Sequence, residues 1–250
     1  MTTATLTAPR VAAPGLDGGT AAVWLLPESG VDALAEVAGT GRVLPPEDLA
    51  RVRGTRTPRA RRHCLGARLL SRLVLARYAG QEPSALRFVT GRYGRPELDG
   101  PYRLRFNLSH TDGLLACVVT RGVPCGVDVQ APVPASAVPH LARAFPPAAR
   151  RRLDAVPVGE RPRALLELWT AAEAYGKALG IGLRHADRID LRPGPAGELT
   201  VHDPDAPPGP WRLHTRHLDT GHTLAVAVRH RGPADGPALS LVTLVEGALP

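Results

Sequence analysis

Residues 131–139 read APVPASAVP: three prolines in nine positions and no charge. No buried strand or helix interior tolerates so many missing amide donors, so the chain is expected to cross between two bodies here. The division that follows is a flexible N-terminal segment 1–20, an N-terminal half 21–130, the linker 131–139, a C-terminal half 140–231 and a tail 232–250. At 250 residues there is enough chain for one large domain or two small ones.

Both halves show the same kind of patterning. In the first, 21–27 (AAVWLLP) predicts a strand, and 31–37 and 46–52 predict helices. Residues 59–78 place Leu65, Leu69, Leu70, Leu73 and Val74 three to four apart on one helical face, with arginines on the other. A strand at 86–89 follows. After Gly91, Gly94 and Pro96 comes a hairpin of 106–109 and 114–120, closed by His110, Thr111, Asp112 and Gly113, and then a strand at 125–129. The second half predicts helices at 140–145, 147–155 and 163–179, the last stopped by Gly180. Strands follow at 189–191, 198–202, 211–218 and 222–229, and 239–245 has the pattern of an edge strand or a segment packed on the body. The fold class expected is α+β, repeated twice.

Composition removes several classes of function. The longest apolar runs, such as 114–119, fall well short of the roughly 18 residues of a membrane span. Residues 1–19 lack a charged start followed by an apolar block, so no secretory signal is expected. Cys64, Cys117 and Cys125 form no CxxC pair, which fits apolar fillers in a reducing cytoplasm. The net charge of +8 favours an acidic partner: nucleic acid, anionic membrane, phosphorylated ligand or acidic protein. Of 31 basic residues only Lys177 is a lysine.

Two segments carry the candidate chemistry. In GVDVQ, Asp128 and Gln130 are two apart, so a strand sends both to one face while Val127 and Val129 enter the core. Two oxygen ligands on one edge suit Mg2+, and a turn-ending aspartate is the other reading. In LWTAAEAYGKALG, Glu173 and Lys177 stand four apart on a helix. That is the order of a solvated ion pair, or of a site where a compact ammonium is needed.

The chain resembles the 4'-phosphopantetheinyl transferases of the surfactin-synthetase type. The resemblance rests on Asn107-Leu108-Ser109-His110, then Gly126-Val127-Asp128-Val129-Gln130, then Trp169 to Lys177, in that order, with Gly94-Arg95-Pro96 and the basic helix upstream. It implies two similar α/β halves related by a pseudo-twofold, with coenzyme A in the cleft between them. The implied reaction moves the phosphopantetheine arm of coenzyme A onto a serine of an acyl or peptidyl carrier protein, releasing adenosine 3',5'-bisphosphate. Asp128, Gln130 and Glu173 would hold Mg2+, Glu173 would accept the serine proton, and Lys177 would stabilise the leaving phosphate. Asp128, Glu173 and Lys177 are thus the implied catalytic residues. His110 and Ser109, with Arg95, Arg62 and Arg68, would bind the coenzyme. The implied protein is a monomer acting on acidic carrier domains, with no nucleic acid or membrane partner.

Two positions depart from the family pattern. Gln130 stands where a second carboxylate is usual, and Ala172 where a lysine precedes the motif glutamate, with Arg184 a candidate replacement cation. A noncatalytic or weakly active coenzyme-binding relative is therefore a competing reading. A basic nucleic-acid-binding module is another, although aromatics make up only 4% of the chain and leave few stacking platforms.

Overall fold

A computed structural model describes residues 11–16, 20–91, 94–181, 189–194, 199–203, 210–229, 239–244 and 249–250. Strand β1 (Ala21–Pro27) precedes helices α1 (Val31–Ala38), α2 (Thr40–Val43), α3 (Pro46–Arg53) and α4 (Pro58–Ala79). Strands β2 (Phe88–Thr90), β3 (Pro96–Leu98), β4 (Leu104–Thr111), β5 (Leu114–Arg121) and β6 (Cys125–Gln130) come next. Then follow helices α5 (Val138–Leu141), α6 (Pro147–Asp154) and α7 (Arg161–Leu179), and strands β7 (Asp190–Pro193), β8 (Leu199–His202), β9 (Trp211–His217), β10 (Thr223–Arg229) and β11 (Leu239–Thr243).

The two long helices are bounded by local chemistry. At the start of α4 the Thr57 hydroxyl accepts the Ala60 amide at 3.2 Å and Pro58 occupies the first turn; Gly80 closes the helix at φ 64°. Gly180 ends α7 in the same left-handed conformation, φ 79°.

Four strands pair in the order β11-β1-β5-β4 and three in the order β6-β10-β9. In β1, Ala22, Trp24 and Leu26 join the core under α4, whereas Ala21, Val23 and Leu25 join the core shared with the second sheet. From the second sheet, Val127, Val129, Leu224, Val226 and Val228 face that shared core, while Ala225 and Ala227 pack with α7. The result is four layers: α4, first sheet, second sheet, α7. Strands buried on both faces carry no polar alternation, which is why 21–26 and 114–119 read as unbroken apolar runs.

The α+β class expected from the sequence is the class observed, and the long helices and central strands fall within a few residues of the pattern. The pairing differs from the expected grouping. Strand β6, grouped by sequence with the first half, hydrogen-bonds to β10 of the second sheet. The turn that redirects it contains Gly122 (φ 69°) and Pro124, which has no amide to continue the ladder of β5. Strand β11, expected as an edge strand or a segment packed on the body, is an edge strand, paired in parallel with β1 of the first sheet. The first hairpin strand runs longer than expected, from Leu104 to Thr111, while the second starts at Leu114 as expected, leaving only Asp112 and Gly113 (φ 83°) in the turn. The proline-rich segment is also partly helical: 135–137 form a 3-10 turn, and α5 begins at Val138. Among the described residues no helix is long and apolar enough to cross a membrane. All three cysteines are free, with Cys117 and Cys125 buried.

Candidate active site

The site is built where β6 crosses α7. A Cβ on Gly126 would lie 2.0 Å from the Ala174 carbonyl oxygen and 2.6 Å from the Ala178 amide, so the strand and helix backbones touch with no room for a side chain. Small residues on the helix, Ala171, Ala174 and Ala178, complete the close approach. Two residues on, the same face of β6 carries Asp128, 2% exposed, directly against the helix bearing Glu173 and Lys177.

Asp128 is held by three side-chain donors. Its Oδ1 accepts from Lys177 Nζ at 2.6 Å and from Ser109 Oγ at 2.8 Å, and its Oδ2 accepts from Gln130 Nε2 at 3.0 Å. Lys177 also donates to Ser109 Oγ at 3.0 Å. The only lysine in the chain therefore reaches across the interface to β6 and β4, the arrangement for which a flexible stem and a compact charge are suited. Burial, and next the charge of Asp128, hold the Glu173 carboxyl above the usual range, with Lys177 opposing. A carboxyl held up in this way is a proton acceptor closer to neutral pH than an exposed glutamate.

The expected coenzyme-binding residues are distributed differently. His110 stacks 4.7 Å from His63 of α4, whose Nε2 lies 3.2 Å from Glu28 Oε2. Burial lowers the His110 pKa, and the neighbouring His63 and Lys177 push it the same way, so it is neutral at pH 7. Ser109 is buried and its hydroxyl engaged: besides its bonds to Asp128 and Lys177 its Oγ accepts the Val129 amide at 3.3 Å. Arg95 is likewise turned into the protein. Its guanidinium donates to the carbonyls of Lys177 (2.8 Å), Ala178 (3.3 Å), Phe106 (2.6 Å) and Cys125 (3.1 Å), clamping the C-terminal end of α7 to β4 and β6. A cation there also complements the helix dipole. Arg62 is exposed and pairs with Asp32 at 3.1 Å, a solvated helix-face charge. Arg68 pairs with Asp48, as does the buried Arg72 at 2.6 Å.

Arg68 and Arg72 line a cavity of about 830 Å³ bounded by α4, residues 84–90, Gly94, Pro96, Phe106 and Leu108. Arg51 and Arg87 line it too. The sequence reading passed over both because they sit among many arginines, and no periodicity separates a cavity-lining arginine from a solvated one. Ala172 is 1% exposed in the core beneath α7, and Arg184 lies outside the described residues.

The donors offered to a cation are all oxygen: the carboxylates of Asp128 and Glu173, and Gln130 Oε1, since the Gln130 amide nitrogen is committed to Asp128. That set fits a hard divalent ion that keeps water or phosphate ligands. Among the described residues no cluster of three or more His, Cys, Asp or Glu gathers around it. The set is thus two carboxylates and one neutral oxygen, and Lys177 would have to leave Asp128 as the ion enters.

Residues 124–228, which include β6 and α7, match the model of the 4'-phosphopantetheinyl transferase superfamily. The L-aminoadipate-semialdehyde dehydrogenase-phosphopantetheinyl transferase of Eremothecium gossypii is 31% identical over 216 residues, covering 82% of this chain and 78% of the relative. The 4'-phosphopantetheinyl transferase HetI of Nostoc sp. is 29% identical over 211 residues, 82% of this chain and 86% of its own. The transferase Sfp of Bacillus subtilis is 28% identical over 163 residues, 65% of this chain and 71% of its own. The chain belongs to the 4'-phosphopantetheinyl transferase superfamily and is an enzyme of that family.

Proposed function

We propose that the protein transfers the 4'-phosphopantetheine arm of coenzyme A to a serine hydroxyl of an acyl or peptidyl carrier domain, as enzymes of the surfactin-synthetase-activating type do. The observation that carries this is the convergence of Asp128 from β6 with Glu173 and Lys177 from α7, held by a strand-helix contact that admits only glycine. The serine oxygen attacks the phosphorus that bears the pantetheine arm. Its proton passes to the Glu173 carboxylate. The bond from that phosphorus to the bridging oxygen breaks, and the electron pair leaves on adenosine 3',5'-bisphosphate. Lys177 Nζ, released from Asp128 and still anchored on Ser109, meets the charge on the leaving phosphate. Mg2+ held by Asp128, Glu173 and Gln130 Oε1 would supply charge neutralisation of the pyrophosphate.

In this reading the coenzyme's nucleotide binds beside α4, between His110 and the cavity lined by Arg51, Arg68 and Arg87; the cavity also carries Glu47, Asp48 and Asp99, with Arg68 paired to Asp48, so Arg51 and Arg87 are the cations that support it best. The net charge of +8 complements an acidic carrier surface and speeds encounter. The free cysteines agree with a reducing, cytoplasmic setting, and one chain already contributes both sides of the site, so a monomer suffices.

Incubating the protein with coenzyme A, Mg2+ and a set of apo carrier domains, then weighing the carriers intact, tests the proposal. The expected result is a gain of about 340 Da that EDTA abolishes, as a metal-assisted phosphoryl-type transfer requires. Unchanged carrier mass despite bound coenzyme A would return the chain to the noncatalytic reading suggested by Gln130 and Ala172.

A further inference from the structure

Strand β6 runs beside β4 without a backbone ladder between them: the β4 ladder goes to β5 and the β6 ladder to β10. The amides of β6 that face β4 are instead taken by β4 side chains. Asn107 Oδ1 accepts the Val127 amide at 3.1 Å, Ser109 Oγ the Val129 amide at 3.3 Å, and Thr111 Oγ1 the Ala131 amide at 3.2 Å. Alternate residues of one strand meet alternate amides of the other at a constant offset of 20 residues in each pair. Three β4 side chains thus do the work of a strand ladder, joining β4, at the edge of the first sheet, to β6, at the edge of the second.

We infer that this side-chain ladder sets the register of β6, and that Ser109 is a positioning residue for Asp128 and Lys177. Asp128 lies between the first and second groups of the seam, so a slip along β4 would move its carboxylate off Lys177 Nζ and Glu173. A one-residue slip would turn it to the opposite face altogether. Ser109 has the further property of touching the catalytic pair itself, giving its proton to Asp128 Oδ1 while accepting from Lys177 Nζ and the Val129 amide. A hydroxyl has one proton and two lone pairs, and all three are used. Ser109 therefore fixes where the carboxylate points and where the ammonium rests when it is not on Asp128. Buried hydrogen-bonded junctions of this kind are costly to leave half satisfied, which gives the seam its directional stiffness.

The structural part of the inference stands on the unliganded protein; only the kinetic part rests on the transferase reading. The test therefore has two arms, using Asn107→Leu, Ser109→Ala and Thr111→Val. Amide hydrogen exchange, followed residue by residue without coenzyme or metal, is expected to show each variant losing protection first at its own partner: Val127, Val129 and Ala131 respectively, each by about tenfold. Unchanged protection at all three partners in the variants that fold would overturn the ladder, whatever the enzyme catalyses. In the kinetic arm, Ser109→Ala is expected to lower kcat by about tenfold or more while leaving the KM for coenzyme A near its starting value, because the loss falls on orientation of the reacting groups. Ser109→Thr, which keeps the hydroxyl, is expected to recover most of kcat. A raised KM with unchanged kcat would overturn the positioning role and make Ser109 a coenzyme contact. Should no carrier be modified by the unaltered protein, the transferase reading fails while the exchange arm still decides the ladder.

Discussion

Replacing Gly126 with alanine puts the strand-helix contact under direct load. The added Cβ would sit 2.0 Å from the Ala174 carbonyl oxygen where ordinary contact begins at 3.4 Å, a shortfall of about 1.4 Å. The obstructing atoms are backbone, so no rotamer change relieves the overlap; β6 and α7 must part. Overpacking of this kind costs about 1–3 kcal/mol. At about 2–4 °C per kcal/mol for a chain of this size, that lowers the melting temperature by about 2–12 °C. The functional loss should exceed the loss in stability. Lys177 Nζ and Asp128 Oδ1 are 2.6 Å apart, and a retreat of this size takes them beyond hydrogen-bond reach. A misplacement of about 1 Å in a reacting constellation can cost about 10²-fold in rate. Thermal melting and single-turnover transfer at saturating coenzyme A would show both effects. A Gly126→Ala protein that melts and turns over like the unaltered one would refute the close contact as the element that aligns the site.

Gln130→Glu should tighten divalent cation binding by about tenfold or more, read by calorimetric titration of Mg2+ into the coenzyme-free protein, because it adds a charged oxygen and removes the donor now bound to Asp128. Weaker binding would show that Gln130 holds the geometry of Asp128 and is no ligand. His110 carries a depressed pKa, so the fold favours its neutral form; stability from this group is present above the ordinary imidazole value of about 6.5 and is lost as pH falls through the folded value. Coenzyme binding should run the opposite way, tightening over the same range as His110 gains charge facing a phosphate. Titrations at stepped pH that lose this dependence in His110→Gln would support the contact, and an unchanged profile would remove it. Glu173→Gln should lower turnover by about 10²–10⁴-fold, the worth of a general base. Its melting temperature should stay equal or rise at neutral pH. A carboxyl with a raised pKa contributes its stability below the unfolded value and loses it as pH climbs through the folded one, so ionised Glu173 opposes folding. A lower melting temperature would mean that the carboxylate is structural.

Much of the site was legible in short patterns. The period of two in GVDVQ put Asp128 and Gln130 on one face, and the spacing of Glu173 and Lys177 put both on one side of α7; the fold brings these residues to one junction. What the sequence did not reveal is the partner of each element. Strand β6 is equally apolar at Val127 and Val129 whichever sheet receives it, so periodicity alone grouped it with its nearest neighbours in the chain. Side-chain direction was also hidden. Arg95 and Ser109 sit in motifs that suggest a ligand contact, yet both are consumed by carbonyls, amides and the catalytic pair. The seam between β4 and β6 left no hydrophobic signal, because Asn107, Ser109 and Thr111 read as the polar face of an ordinary strand.

The central claim is that Asp128 of the second sheet and Glu173 of α7 serve one reaction centre. Single-turnover transfer measured for Asp128→Asn, Glu173→Gln and the double variant tests it most directly. Residues that act as a unit lose their function together, so the double variant should be about as slow as the slower single variant. Losses that multiply, with the double variant slower by the product of the two single effects, would place the carboxylates in separate roles and contradict the shared centre.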